Sequence, residues 1–225
     1  MSAAWAGPRA SIRIQSDKWT PSSMRSRLRA ATAPAHERMH AHPGFAAAAA
    51  GTIGIADYRR LIARVYGFHL PFEAAARAAA SSSGFDFDVE RRTRSPALLA
   101  DLKALGVESE TIARLPLWAP SFSFASESVL LGAFYVLEGS TLGGVQIART
   151  LQGVVGDDAG DGRRFFLGRG DRQSTMWKDF LERVEALSED SDESAKAIDA
   201  AVATFEDFET WMAGWKVETD PALRS

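Results

Sequence analysis

From residue 22 onward, apolar residues recur at three- and four-residue intervals with few β-branched runs, which is the spacing of one face of an α-helix. The pattern predicts a first helix over Ser22 to about His42. A second, Asp57 to Arg77, sets Tyr58, Leu61, Ile62, Val65, Phe68 and Phe72 on one side, with a kink expected at Pro71. A short third is punctuated by Ser95 as cap, Pro96 in the first turn and Gly106 just past the end. The strongest run spans Ser126 to about Leu151. Met176 to Leu187 and Ser194 to Trp215 close the series, the last with Ile198, Val202, Phe205, Phe208, Met212 and Trp215 at helical spacing. Gly153 to Asp171, rich in Gly and Asp, reads as a loop. No internal repeat is evident, and Ala46 to Ala50 is the one low-complexity tract. The expectation is an all-α fold: one helical domain over 22–218, a loose arm at 1–21 where periodicity is missing, and a tail at 219–225.

Composition narrows the chemistry. At 225 residues the chain can bury a core without covalent staples, and it has no cysteine. Thiol nucleophiles, zinc ribbons, iron–sulfur clusters and thiolate-ligated heme are thereby excluded. A soft-metal or heme ligand has to come from His36, His40, His42 and His69, or from a weaker Met or Tyr. The formal net charge of −3 makes no electrostatic case for nucleic acid as a partner. The N-terminus has no apolar segment of the secretory kind, so a cytoplasmic location is expected. The longest apolar stretch, Val129 to Leu137, is broken by Glu138 and Gly139, short of the roughly 18 residues of a membrane span.

With Leu28 as zero on a wheel of about 100° per residue, Thr32, Ala35, His36 and Met39 fall within roughly 80° of it, while Glu37 and Arg38 point away. His36 therefore lies at the edge of the buried stripe. Arg29 shares its angle, about 10 Å earlier along the axis. A neutral imidazole beside the small residues Ala31, Thr32 and Ala35 can ligate a metal, and the guanidinium can hold a carboxylate of the same ligand. On this helix alone a hydrogen-bonded core histidine is the favoured explanation of His36. His36, His40 and His42 can also be read as a zinc cluster, but no HExxH or Glu-x-x-His pair completes a ligand set. Pro43 is expected to end the helix and turn His42 out of its face, and His69 reads as a core or rim residue.

The run LLGAFYVLEGSTLGGVQIARTL carries Gly132, Gly139, Gly143 and Gly144 inside a strongly helical pattern. Each interior glycine costs about 1 kcal/mol relative to alanine. The first three, spaced by seven and four, stack into a smooth stripe that admits another body to backbone distance. That body is either a second helix or a flat ligand. No strand precedes these glycines and no GxxxxGK[ST] follows, so a phosphate loop is excluded. GSTLGG is not a nucleophile elbow either, which leaves Ser140 and Ser126 without support as nucleophiles.

Taken together, LRAATAPAH (Leu28 to His36) and YVLEGSTLGG (Tyr135 to Gly144) resemble the heme oxygenases, in particular the bacterial biliverdin-forming branch often associated with bacteriophytochromes. The likeness covers Leu28 to Leu151 well, with ADYRRLIARVYGFHLPFEAAA and PALLADLKALG in the expected order between the two motifs, and the later helices only in general pattern. It implies a bundle that holds heme between a proximal and a distal helix. His36 matches the proximal ligand of the heme iron and Arg29 the basic residue at a propionate. Gly139 and Gly143 match the distal glycines whose backbone closes over the macrocycle and limits which meso carbon is attacked. Thr32, Tyr135 and Gly144 are placed against the heme by the same likeness, and Lys178 and Arg183 are candidates for further propionate contacts.

The resemblance further implies that heme is both substrate and cofactor. It would be opened with O2 to biliverdin, carbon monoxide and ferrous iron, with electrons from a ferredoxin or reductase and a bacteriophytochrome as a possible recipient of the pigment. Two positions depart from the family. Ser140 stands where animal-type members carry an aspartate that organises distal water, so that network would rest on backbone and Ser140. His40 stands where many relatives have a glutamate, and it offers a competing ligand. These departures motivate an alternative, a non-catalytic heme-binding or sensory relative with the same fold. Residues read without the family leave a third: a helical protein whose His and Gly features serve packing or a non-heme metal.

Overall fold

A computed structural model describes residues 23–156, 162–188 and 191–215. The expected arm at 1–21 and tail at 219–225 lie outside the described residues, which hold ten α-helices and no strand. The helices are α1 (Met24–Ala41), α2 (Pro43–Ala50), α3 (Ile55–Ser83), α4 (Ser95–Ala104), α5 (Ser109–Ala113), α6 (Glu127–Thr150), α7 (Gln152–Val155), α8 (Arg164–Leu167), α9 (Arg172–Glu185) and α10 (Asp192–Met212). Every helix expected from periodicity is present. By length and composition α6 is apolar enough to cross a membrane, but well over half of that stretch is buried inside the bundle.

Local chemistry explains where the sequence expectation and the structure part. Helix α3 runs on through Pro71 to Ser83. Pro71 has no N–H for the Gly67 carbonyl four residues back; that carbonyl instead accepts the Trp118 N–H at 2.9 Å. The strap before Trp118 comes so close that a Cβ on Gly67 would lie 2.4 Å from the Pro116 carbonyl oxygen. Ser95 is the first residue of α4 rather than its cap. The capping group comes from α3: the buried Glu73 carboxylate accepts the N–H groups of Arg94 (2.6 Å) and Ser95 (3.1 Å) and the Ser95 hydroxyl (2.5 Å), and it also meets His69 at 3.3 Å. His69 is accordingly a core residue. The alanine run, read only as low complexity, is α2, with Pro43 in its first turn.

The stretch read as a loop after α6 contains α7 and α8, its residues 157–161 lying outside the described set. Helix α8 is held by Asp101 of α4, whose fully buried carboxylate accepts the N–H groups of Arg164 and Phe165 at 2.8 Å each. Burial pushes the Asp101 carboxyl up to about 6. Because this lies above the ordinary aspartate value, the folded chain keeps a proton that the unfolded chain releases. The resulting stability is complete below about pH 4 and is lost as pH rises through 6. Compared with Asp101→Asn, the wild type should gain up to about 3 kcal/mol in unfolding free energy between pH 7 and pH 4. A difference that stays flat over this range would exclude the shift.

Helix α10 is the spine. Its contacts with α6 run from Ser128–Glu193 (2.5 Å) to Gly132, where a Cβ would sit 1.9 Å from the Ala197 carbonyl oxygen. Its contacts with α1 run from Arg27–Ser194 (3.4 Å) through His36–Phe205 (ring centroids 6.3 Å) to Arg38–Glu209 (2.7 Å). In both pairings residue numbers rise together, so α1, α10 and α6 run in the same direction. Helices α1 and α6 flank α10 with little direct contact between them.

Candidate functional site

Three buried side chains of α1, Leu28, Ala35 and Met39, fix its phase, and this leaves Arg29 and His36 exposed beside the seam. The glutamate of another helix fixes its start: Glu185 of α9 accepts the N–H groups of Met24 and Arg25 at 3.2 and 3.0 Å. His36 Nε2 lies 3.2 Å from His40 Nε2, and the two rings meet edge to face. Burial, the His40 charge and the Arg29 charge hold the His36 imidazole below the ordinary histidine value, against a smaller opposing effect of Glu37. At neutral pH it is an unprotonated ring with a lone pair to offer. Among the described residues Arg29 has no hydrogen bond or ion pair.

The register places the glycines opposite. If Ser128 is level with Glu193 and Gly132 with Ala197, then Ser140 is level with Phe205, the α10 residue that also meets His36. His36 and the Gly139–Gly143 stretch thus stand at one height on either side of α10. The four glycines separate by what a side chain would meet. Gly132 is closed by the backbone of α10, and Gly144 by that of α8, with the Phe166 carbonyl oxygen 2.6 Å from a Cβ position. Those two serve helix packing, Gly144 included, although the family likeness set it against the heme. A Cβ on Gly139 would meet only Trp177 of α9, at 3.9 Å, and on Gly143 nothing within 4 Å. Packing accounts for neither of the latter.

Tyr135 joins the two walls. Its ring lies 5.9 Å from that of Trp177, and burial pushes its hydroxyl above the ordinary tyrosine value while the charges of Arg25 and Arg29 pull the other way. Arg29, Tyr135, Trp177 and Gly139 are thus linked neighbour to neighbour, with His36 further along α1. Ser140 is exposed, and its hydroxyl donates to the Leu137 carbonyl at 2.7 Å.

Other expected residues lie elsewhere. Thr32 is buried and its hydroxyl donates to the Leu28 carbonyl at 2.8 Å, so it packs the core. Arg183 binds Asp86 and meets Glu127 at 3.4 Å. Glu127 is thirteen residues, or about 20 Å of helix, before Ser140, which takes Arg183 to the far end of α6. The Lys178 side chain is 78% exposed and, among the described residues, reaches only Glu182, at 3.9 Å. His42 leaves the α1 face as expected; it caps α2 by accepting the Gly44 N–H at 3.2 Å and meets the Met212 carbonyl at 3.1 Å. Sequence reading missed Arg25, Trp177 and Phe205, because each joins the site only through packing between helices distant in the chain.

Behind the open glycines is a buried ionic brace. Glu138 binds Arg169 through two bonds of 2.8 and 2.9 Å and lies 3.5 Å from Arg92, all three side chains being buried. Thr141 donates to the Glu138 carbonyl at 2.6 Å and receives Gln173 at 2.5 Å. Side-chain bonds to carbonyls three residues back, here from Ser140 and Thr141, bend helices, and the brace fixes this stretch of α6 from its far side. Glu138→Ala leaves two guanidinium groups buried without their carboxylate and should cost about 3–5 kcal/mol in denaturant unfolding. A loss below about 1 kcal/mol would remove the brace from the account.

The Heme oxygenase family model matches residues 22–214. No curated protein matches the chain. Among solved structures, heme oxygenase from Neisseria meningitidis with NO and CO bound is 21% identical, with a TM-score of 0.64 over 88% of this chain and 95% of that one. Heme oxygenase-1 from the cyanobacterium Synechocystis, in complex with heme, is 15% identical, with a TM-score of 0.66 over 85% and 91%. At such identities these two structures establish likeness of fold.

Proposed function

The chain belongs to the heme oxygenase family, and from that premise we propose that it opens heme to biliverdin, carbon monoxide and ferrous iron, with His36 as the axial ligand. One observation carries the assignment of the site: a neutral, exposed imidazole stands level with the open glycine positions Gly139 and Gly143 of α6 across the α10 seam. The residues suit a flat, dianionic ligand. Gly139 and Gly143 leave space that a side chain would fill, and Arg29 offers a guanidinium that no carboxylate of the described residues occupies.

Bound heme supplies the iron at which oxygen is reduced and the meso carbon that is oxidised. The protein's part is positioning. His36 would hold the iron, Arg29 would hold a propionate by charge-assisted hydrogen bonds, and the backbone at Gly139 and Gly143 would let the macrocycle approach α6 closely. Trp177 and Tyr135 exclude water from the edge beside Gly139. The Ser140 hydroxyl, tied to Leu137, keeps lone pairs with which to order a water molecule. Electrons come from a ferredoxin or reductase, and a bacteriophytochrome is a fitting acceptor of the pigment; the motif likeness supports both, and a cytoplasmic location suits them.

Hemin added to the protein should bind one to one with a histidine-ligated spectrum, and reductant in air should convert it to a bile pigment separable by chromatography. A complex that persists unchanged under reductant and oxygen would overturn catalysis and leave a heme-binding protein.

A further inference from the structure

The His36–His40 pair has a geometry that heme ligation does not use. Two imidazoles one helical turn apart converge with their Nε2 atoms 3.2 Å apart, and both side chains are open to solvent. For a cation about 2.0–2.1 Å from each nitrogen, that separation corresponds to an N–metal–N angle of about 100–105°, between octahedral and tetrahedral. Among the described residues neither ring hydrogen-bonds any side chain except the other's.

We propose that in the heme-free protein His36 and His40 chelate a divalent transition cation through their two Nε2 atoms, and that this cation and heme exclude one another. Ligation needs no redox step: the ring that donates in the His36–His40 hydrogen bond moves its proton to Nδ1, and both Nε2 lone pairs face the metal. No third His, Asp or Glu of the described residues completes the set, so water fills the remaining positions. Imidazole nitrogen favours Cu2+, Ni2+ and Zn2+ over Mg2+ and Ca2+. The exclusion follows because Nε2 of His36 is the atom that would take the heme iron, and so rests on that reading; the chelate does not.

The test uses the full, tag-free chain without heme. Cu2+ titrated by calorimetry should bind one to one, and its electron paramagnetic resonance spectrum should report two nitrogen ligands. His40→Ala and His36→Ala should each weaken binding at least about tenfold, as loss of a direct ligand must exceed the loss of a supporting one. Cu2+ should slow hemin uptake by the wild type, and less so by His40→Ala. Binding that is equal in wild type and His40→Ala overturns the chelate. If the cation binds as described but does not slow hemin uptake, the exclusion fails. A chain that chelates the cation and binds no hemin keeps the chelate and removes the heme reading instead.

Discussion

Hemin mixed with His36→Ala should give a Soret band that has lost most of its histidine character, and pigment formation should fall by at least about a hundredfold, the upper range for loss of groups that merely support a ligand. The fold should be unaffected. His36 is exposed on α1, and alanine has the higher helix propensity. The complication is His40, whose Nε2 lies 3.2 Å from the nitrogen that is lost. A ring that close can reach the iron from one turn away, so part of the histidine-type spectrum can survive in the single variant. His36→Ala combined with His40→Ala closes that route. In the double variant, added imidazole should restore ligation by entering the space left by the rings. A double variant that binds and degrades hemin like the wild type would show that the ligand is not on α1. Circular dichroism of both variants separates this result from a folding defect.

The histidine was legible in the sequence because helical phase is a local property. Leu28, Ala35 and Met39 fix the buried face of α1, and His36 follows at its edge. The quality of a cap is local too, where the chain supplies it: Ser126 accepts the Val129 N–H and starts α6 as expected. What was not legible comes from groups that meet across the bundle. Ser95 looks like a cap, but Glu73, on another helix, takes that role. Arg183 looks free on α9, but Asp86 and Glu127 hold it at the wrong end of α6. Thr32 shares the angle of His36 closely enough to pass for a site residue, yet its hydroxyl is spent on its own helix. Trp177 enters the site because α9 lies beside Gly139, a fact that no periodicity records.

The glycines of α6 give the second large effect, because the structure divides a stripe that reads as uniform in sequence. Gly132→Ala puts a methyl 1.9 Å from the Ala197 carbonyl oxygen and within 2.8 Å of its Cα. Both obstacles are backbone, so α6 and α10 must part. The loss should reach the upper end of overpacking costs, about 3 kcal/mol, and Gly144→Ala, blocked by Phe166, should follow it. Gly143→Ala meets no neighbour and removes a glycine from a helix interior, so stability should rise by up to about 1 kcal/mol. Heme binding should rank the positions in reverse. Gly143→Leu fills the space assigned to the macrocycle and should weaken hemin binding about tenfold or more, equivalent to about 1.4 kcal/mol, with the fold intact. Gly139→Ala, with room to reach 3.9 Å from Trp177, should keep the fold and alter the proportions of the pigment isomers, because the added methyl narrows the directions open above the ring. Should Gly143→Leu bind hemin as tightly as the wild type and yield the same isomer, the open face of α6 is not the distal wall. The heme would then have to be sought against another surface of α1.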